Sequence, residues 1–200
     1  MINVQDLVKL QVDTVSRWHH EPVDNPYSGF DEAVCTQHQF NFKLWHQEDI
    51  ARSRDVTDEK IAEVKRAIDG FNQQRNDWIE KVDDFITAML EERNIAPQQN
   101  ARLNTETPGS VFDRLSILAL RIYHMEEQLG RDDVDQAHLE SVEQKIAICR
   151  LQQEELSNSL QELLEDIFAG TKRHRTYRQL KMYNDPKLNP YLYAKKKQLA

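Results

Sequence analysis

An arginine stands in this sequence where an apolar side chain belongs. Over residues 57–92, apolar side chains recur at Ile61, Val64, Ile68, Phe71, Trp78, Val82, Phe85 and Met89 in steps of three and four. That spacing is the seam of a long helix. The seam position between Phe71 and Trp78 is Arg75, flanked by Asn72 and Asn76. A guanidinium in a core is costly unless it is paired. On a preceding helix, Asn41, Trp45, Glu48 and Arg52 fall on one line, and Glu48 or Asp49 is the expected partner of Arg75. Two chemistries follow. One is a buried salt bridge that sets helix register. The other is a polar pocket in mid-bundle, where Arg75 holds an anion through the paired donors that suit phosphate or carboxylate.

Histidines supply a second candidate chemistry. His46 and His124 each have an acid three residues on, Asp49 and Glu127, and on a helix that spacing shares a face. Two such pairs could hold a divalent metal, with His46, Asp49, His124 and Glu127 as ligands, although di-iron bundles place Glu first and His three later. No cofactor follows from the residues beyond that metal. Glu80 with Asp83, and Glu140 with Glu143, have the spacing of carboxylates that carry magnesium between helices, but such pairs are mostly solvated faces. His19, His20 and His38 have no assignable partner. No nucleophile motif, phosphate loop or zinc spacing is present, and no catalytic residue is assigned.

The elements that position these residues are helices. The long segment 57–92 has Thr57 as N-cap, followed by Asp58 and Glu59. A second long helix over 135–169 carries Leu139, Val142, Ile146, Cys149, Leu156, Leu160, Leu163 and Ile167, with Gln153 at the place of Arg75, and Gly170 ends it. Shorter helices precede each, over 31–52 and from 107 to 129. Ser110 and Asp113 resemble a capping box at the start of the latter. That helix also carries Ile117 and Leu120 off its main stripe, as a central helix does. A first helix spans about 4–18. No β-pattern competes. Shifting 31–92 by 78 residues superimposes the seams without a gap. The expectation is an all-α antiparallel bundle of two pseudo-repeated hairpins, about 31–92 and 109–170, with an extra N-terminal helix. Residues 1–170 form the bundle domain, and 171–200 form a basic segment packed on it.

Composition narrows the classes. Five glycines and six prolines in 200 residues leave room for few turns. With 39% hydrophobic and 30% charged residues, the chain is too apolar for disorder and too polar for a membrane protein. No stretch approaches a membrane span, and Asp6, Lys9, Asp13 and Arg17 interrupt the N-terminus too often for a signal peptide. Two cysteines without a CxxC fit packed thiols in a reducing compartment, so the cytoplasm is expected. The net charge of −8 hides a division. Residues 171–200 carry nine basic side chains and one acid, a net +8, which leaves −16 for the rest. Four of the six tyrosines (Tyr177, Tyr183, Tyr191 and Tyr193) lie in that segment. Such a tail could bind nucleic acid. The favoured reading lays it along the acidic body, anchored by Tyr183, Leu188, Tyr191 and Leu192, which cancels the field that nucleic acid would need.

Four blocks carry a family resemblance. They are Asn41-Phe-Lys-Leu-Trp-His-Gln-Glu-Asp-Ile-Ala-Arg52, Asn72-Gln-Gln-Arg-Asn-Asp77, Thr107-Pro-Gly-Ser-Val-Phe-Asp-Arg-Leu-Ser-Ile117 with Ile122-Tyr-His-Met-Glu-Glu127, and Tyr177-Arg-Gln-Leu-Lys-Met-Tyr-Asn-Asp-Pro186. In this order they resemble the bacterial family known as domain of unknown function 4254. The resemblance implies an all-α bacterial protein, often encoded near glycosyltransferases and other envelope-polysaccharide genes. It implies no activity. The family's motif residues fall on Trp45, His46, Glu48, Asp49, Arg52, Asn72, Arg75, Asn76, Asp113, Ser116 and His124.

The leading expectation is an accessory or anionic-ligand-binding factor in surface-glycan or lipopolysaccharide assembly. Its candidate polar core is His46, Glu48, Asp49, Arg52, Asn72, Arg75, Asn76, His124 and Glu127. Its partner would be another protein or an anionic small molecule, and a homodimer is compatible with the pattern. The alternatives are an enzyme that handles a metal or phosphosugar at the same cluster, and a nucleic-acid module acting through the tail.

Overall fold

The computed structural model describes residues 2–182 and 185–193. The chain is an all-α bundle. Its helices are α1 (Val4–Trp18), α2 (Gly29–Arg52), α3 (Asp58–Glu92), α4 (Pro108–Leu129), α5 (Gln136–Phe168) and the short α6 (Pro190–Tyr193). At 35 residues α3 is about 53 Å long. Helices α3, α4 and α5 each start on a side-chain cap. Thr57 accepts from the Lys60 amide, Thr107 from Ser110 and Asp135 from His138. Thr57 and Asp135 are 78 residues apart.

Helix α2 packs mainly on α3, and α4 on α5; α4 also touches α1, α2 and α3. It is the central element, so its apolar residues face several directions: Val111, Phe112, Leu115, Ala119 and Leu120 are all buried in the main core. Cys35 and Cys149 are buried free thiols, and burial pushes the Cys35 thiol up to about 12. Among the described residues, no helix is long and apolar enough to cross a membrane.

Four details depart from the sequence reading. First, the α3 seam shifts by one residue beyond Arg75. Ile79, Val82 and Ile86 are buried, whereas Trp78 is half-buried and Phe85 is exposed at its edge. A straight helix drifts about 20° per heptad against a 3.5-residue seam, so a stripe that starts on Val64 and Ile68 passes to the next column. Second, the cap of α4 is Thr107 and not a Ser110–Asp113 box; Ser110 Oγ lies 3.1 Å from Thr107 Oγ1, and Asp113 turns into the core. Third, a two-residue parallel pair, β1 (Arg102–Leu103) with β2 (Lys172–Arg173), ties the α3–α4 loop to the chain after α5. Two residues are too few for an alternating pattern to be read.

Fourth, the tail is held by polar contacts. It runs along α3, where His174 Nε2 donates to the Asp83 carbonyl at 2.9 Å and Thr176 Oγ1 donates to Asp84. Arg178 bridges Glu80 and Asp84, and the Gln179 amide donates to Glu80 at 2.7 Å. Leu188, Tyr191 and Leu192 are exposed and anchor nothing, and Tyr183 lies outside the described residues. The facing strip of α3 is acidic, so charge complementarity selects Arg178 over the apolar side chains.

Candidate functional site

Asp113 is the centre of the polar core. It sits in the second turn of α4 and is 5% exposed. Its Oδ1 accepts from Arg75 Nε at 2.9 Å, Asn41 Nδ2 at 2.9 Å and Gln37 Nε2 at 2.5 Å. Its Oδ2 accepts from Arg75 Nη2 at 3.0 Å. The pair is therefore a planar two-point ion pair supplemented by two amides, which is the arrangement a buried carboxylate needs. Asn41 Nδ2 also donates to Ser116 Oγ at 2.8 Å, and His38 Nδ1 lies 2.6 Å from the same hydroxyl. Helical periodicity assembles each half. Gln37, His38 and Asn41 share one turn of α2, and Asp113 and Ser116 share one turn of α4.

Glu48 and Asp49 do not partner Arg75. Both pair with Arg52 instead, at 3.1 and 3.9 Å. The reason is axial position. The α2–α3 hairpin turns near residue 55, so Arg75, twenty residues after the turn, comes level with residues about twenty before it. Gln37 is at that level, whereas Glu48 lies some 16 Å nearer the turn. Hairpin arithmetic applied to the sequence would have pointed to Gln37 and Asn41. The acid itself comes from α4, and no local signal marks it. Asn72 meets the third face of the guanidinium, with Arg75 Nη1 donating to Asn72 Oδ1 at 3.5 Å. Asn76 bonds back to the Asn72 carbonyl and does not reach Arg75.

The network borders an open groove of about 670 Å³. Asn41, Asn72, Arg75, Trp45, Glu48 and Asp69 line it. Asp49, Arg52 and Lys65 also face it. Three lining acids thus oppose three lining bases, and Arg75 is already compensated by Asp113 behind it. The groove is charge-balanced rather than electropositive, and Leu44, Ile68, Ile117 and Leu120 also line it.

His38 is fully buried against the Trp18 ring, 5.2 Å between centroids. Burial depresses it to about 3, with the Gln11 carbonyl offsetting little. It therefore stays neutral in the folded protein while the unfolded chain takes up a proton below about 6.5. Stability from this group is complete above pH 6.5 and is lost as pH falls toward 3, at up to ~1.4 kcal/mol per unit. Melting temperatures measured across that window should fall in the wild type and flatten in His38→Asn. An equally steep fall in the variant would assign the acid limb to other groups.

The second histidine cluster gains a member. His46 on α2 and His124 on α4 approach to 5.7 Å between ring centroids, and His19, at the end of α1, joins them at 5.1 and 5.0 Å. One ring nitrogen from each of the three lies within 4.8 Å of the others. Glu127 accepts from His124 Nδ1 at 2.7 Å, and Asp49 stays with Arg52 on the groove. Burial lowers the pKa of His19, and its two histidine neighbours add to the effect. His19 followed the last apolar residue of α1 in sequence, and nothing local marked it for a cluster with α2 and α4.

The remaining acid pairs do separate structural work. Glu80 holds the tail, and Asp83 Oδ1 accepts from the Gly109 amide at 2.8 Å, stabilising the N-terminus of α4. Burial raises the pKa of Asp83, while Thr107, the Gly109 amide and His174 pull it back. Glu140 and Glu143 are exposed.

The fold and site define a helical bundle protein with a buried arginine–aspartate–amide network opening on a charge-balanced groove. Residues 31–176 match the family described as protein of unknown function (DUF4254), and the chain belongs to that family. No curated protein and no solved structure matches it.

Proposed function

We propose that this protein is a cytoplasmic accessory factor in bacterial surface-glycan or lipopolysaccharide assembly, and that its groove holds a hydroxyl-rich sugar unit. The observation that carries the reading is the groove beside Arg75, where acids, amides, bases and one indole ring stand among Leu44, Ile68, Ile117 and Leu120. Sugars are bound by planar acceptors and donors around an aromatic face, because each hydroxyl both donates and accepts. Glu48, Asp49 and Asp69 would accept hydroxyl protons, Arg75 Nη1 and the Asn72 amide would donate, and Trp45 would meet the apolar face of a ring.

Compensation of Arg75 by Asp113 weakens the case for a purely anionic ligand. Arg52 and Lys65 are paired with Glu48, Asp49 and Asp69, so a phosphosugar would have to draw them from those exposed pairs. The tail supports nucleic-acid binding poorly, since Arg178 is already engaged by Glu80 and Asp84.

Titration calorimetry with free hexoses and their 1-phosphates tests the reading. At least one sugar should bind, and Asn72→Ala and Glu48→Gln should each weaken it about tenfold, which is ~1.4 kcal/mol. Absence of binding across both sets, or binding unchanged in both variants, rejects the groove as a sugar site.

A further inference from the structure

We infer that His19, His46 and His124 form a binding site for one first-row divalent transition metal ion of the zinc type. The site is distinct from the groove and independent of the sugar reading.

The inference begins with the hydrogen bonds each ring already makes. His19 Nδ1 lies 2.7 Å from the Val15 carbonyl, His46 Nδ1 2.8 Å from the Phe42 carbonyl, and His124 Nδ1 2.7 Å from Glu127 Oε2. Carbonyl and carboxylate oxygens only accept, so each Nδ1 must carry the proton and donate it. In a neutral ring this leaves Nε2 as a bare lone pair. The same tautomer has been imposed three times, by three different acceptors. Histidines that ligate metals are prepared this way, with the far nitrogen held by a carbonyl or carboxylate.

The second observation is what the free nitrogens lack. Nε2 of His19 and Nε2 of His124 are buried and bonded to no group among the described residues. Three neutral imidazoles with their protons on Nδ1 cannot hydrogen-bond to one another through Nε2, because each offers only an acceptor. The surrounding rings cannot help. Tyr123 stacks on His19 at 4.0 Å, Trp45 lies parallel to His124 at 4.9 Å, and Phe42 packs on His46 at 4.3 Å. An unmet buried polar atom costs ~1–3 kcal/mol. One cation would satisfy all three lone pairs at once.

The geometry is close to what an ion requires. One ring nitrogen of each histidine lies within 4.8 Å of one from each of the others. Three nitrogens bound tetrahedrally at about 2.0–2.1 Å would stand about 3.4 Å apart. Side-chain rotation of about 1 Å per ring closes that gap without moving the helices. An all-imidazole set selects zinc, cobalt or nickel over magnesium or calcium, which take oxygen ligands. Three protein ligands leave one position for water or a substrate atom. His19 lies outside the matched residues 31–176, so the site needs α1 as well as the matched region.

The test uses the full chain, freed of metal by chelation and then titrated with Zn²⁺ or Co²⁺. The expected result is saturation at one ion per chain, a rise in melting temperature, and visible d–d absorption for cobalt. His19→Ala, His46→Ala and His124→Ala should each weaken binding about 100-fold or more, and Glu127→Gln about tenfold, the usual range for an outer carboxylate. His20→Ala, an exposed neighbour, should bind as the wild type does. Should the ligand variants fail to fold, long-range proton–nitrogen spectra of the unmodified protein provide the reading. Nε2 of three imidazoles should shift on adding zinc while His20 does not. Lack of saturation at one equivalent, equal loss in His20→Ala and His19→Ala, or unshifted Nε2 signals would each overturn the assignment.

Discussion

Asp113→Ala is expected to destabilise the protein by about 3 kcal/mol, among the largest costs of any single polar substitution in this chain. The substitution removes the shared acceptor of three donors at once: the Arg75 guanidinium, the Gln37 amide and the Asn41 amide, of which Asn41 keeps its bond to Ser116. Gln37 is fully buried away from the groove, whereas Asn41, also buried, borders it. Arg75 retains 28% of its side-chain exposure, at the groove, so water recovers part of its loss and holds the figure to the low end for a broken buried pair. Arg75→Met creates the opposite defect, a buried carboxylate with amides only. The double variant Asp113→Ala with Arg75→Met removes both charges, and it should lose less than the two single changes added together. Urea denaturation of the four proteins decides the matter. A cost below about 1 kcal/mol for Asp113→Ala would show that the network contributes little to the fold.

Gly109→Ala is expected to cost about 3 kcal/mol, for a reason of space alone. A Cβ at Gly109 would lie 2.5 Å from the Ile79 carbonyl oxygen and 3.0 Å from the Asp83 carboxylate. The first of these is backbone inside α3 and cannot swing aside. The N-terminus of α4 would have to lift from α3, lengthening the 2.8 Å bond between the Gly109 amide and Asp83. Gly70 provides the comparison. It lies within α3, and a Cβ there meets nothing within 4 Å, so Gly70→Ala should stabilise by ~0.5–1 kcal/mol through helix propensity. Thermal melts of the two variants should move in opposite directions. Shifts of the same sign would mean that α4 does not approach α3 as closely as the backbone geometry requires.

These two substitutions also separate what was readable beforehand. Helix boundaries were legible almost to the residue, because the caps at Thr57 and Asp135, the stop at Gly170 and the apolar spacing act within one helix. Arg75 was legible as an anomaly for the same reason, since a charged residue in a 3.6-residue stripe shows in the stripe. Its partner was not. Asp113 read as part of a cap because Ser110 lies three residues before it, and local spacing cannot distinguish an acid that caps a helix from one that turns inward in the second turn. Gly109 carried no mark of its closeness to Ile79. His46 and His124 were legible as a pair through their shared position in the two hairpins, while His19, on a helix outside both, was not.

By itself, then, the sequence determined the all-α class, the number and span of the long helices, the acidic body with its basic tail, and the presence of a charge that a core must neutralise. Only the tertiary structure decided which acid neutralises it, which third histidine meets the other two, and which carboxylates hold the tail. Periodicity and capping are properties of one chain segment. Contacts between segments depend on the axial slide and rotation of each helix, which are set by the whole packed core, and a shift of one residue in either changes which side chains meet.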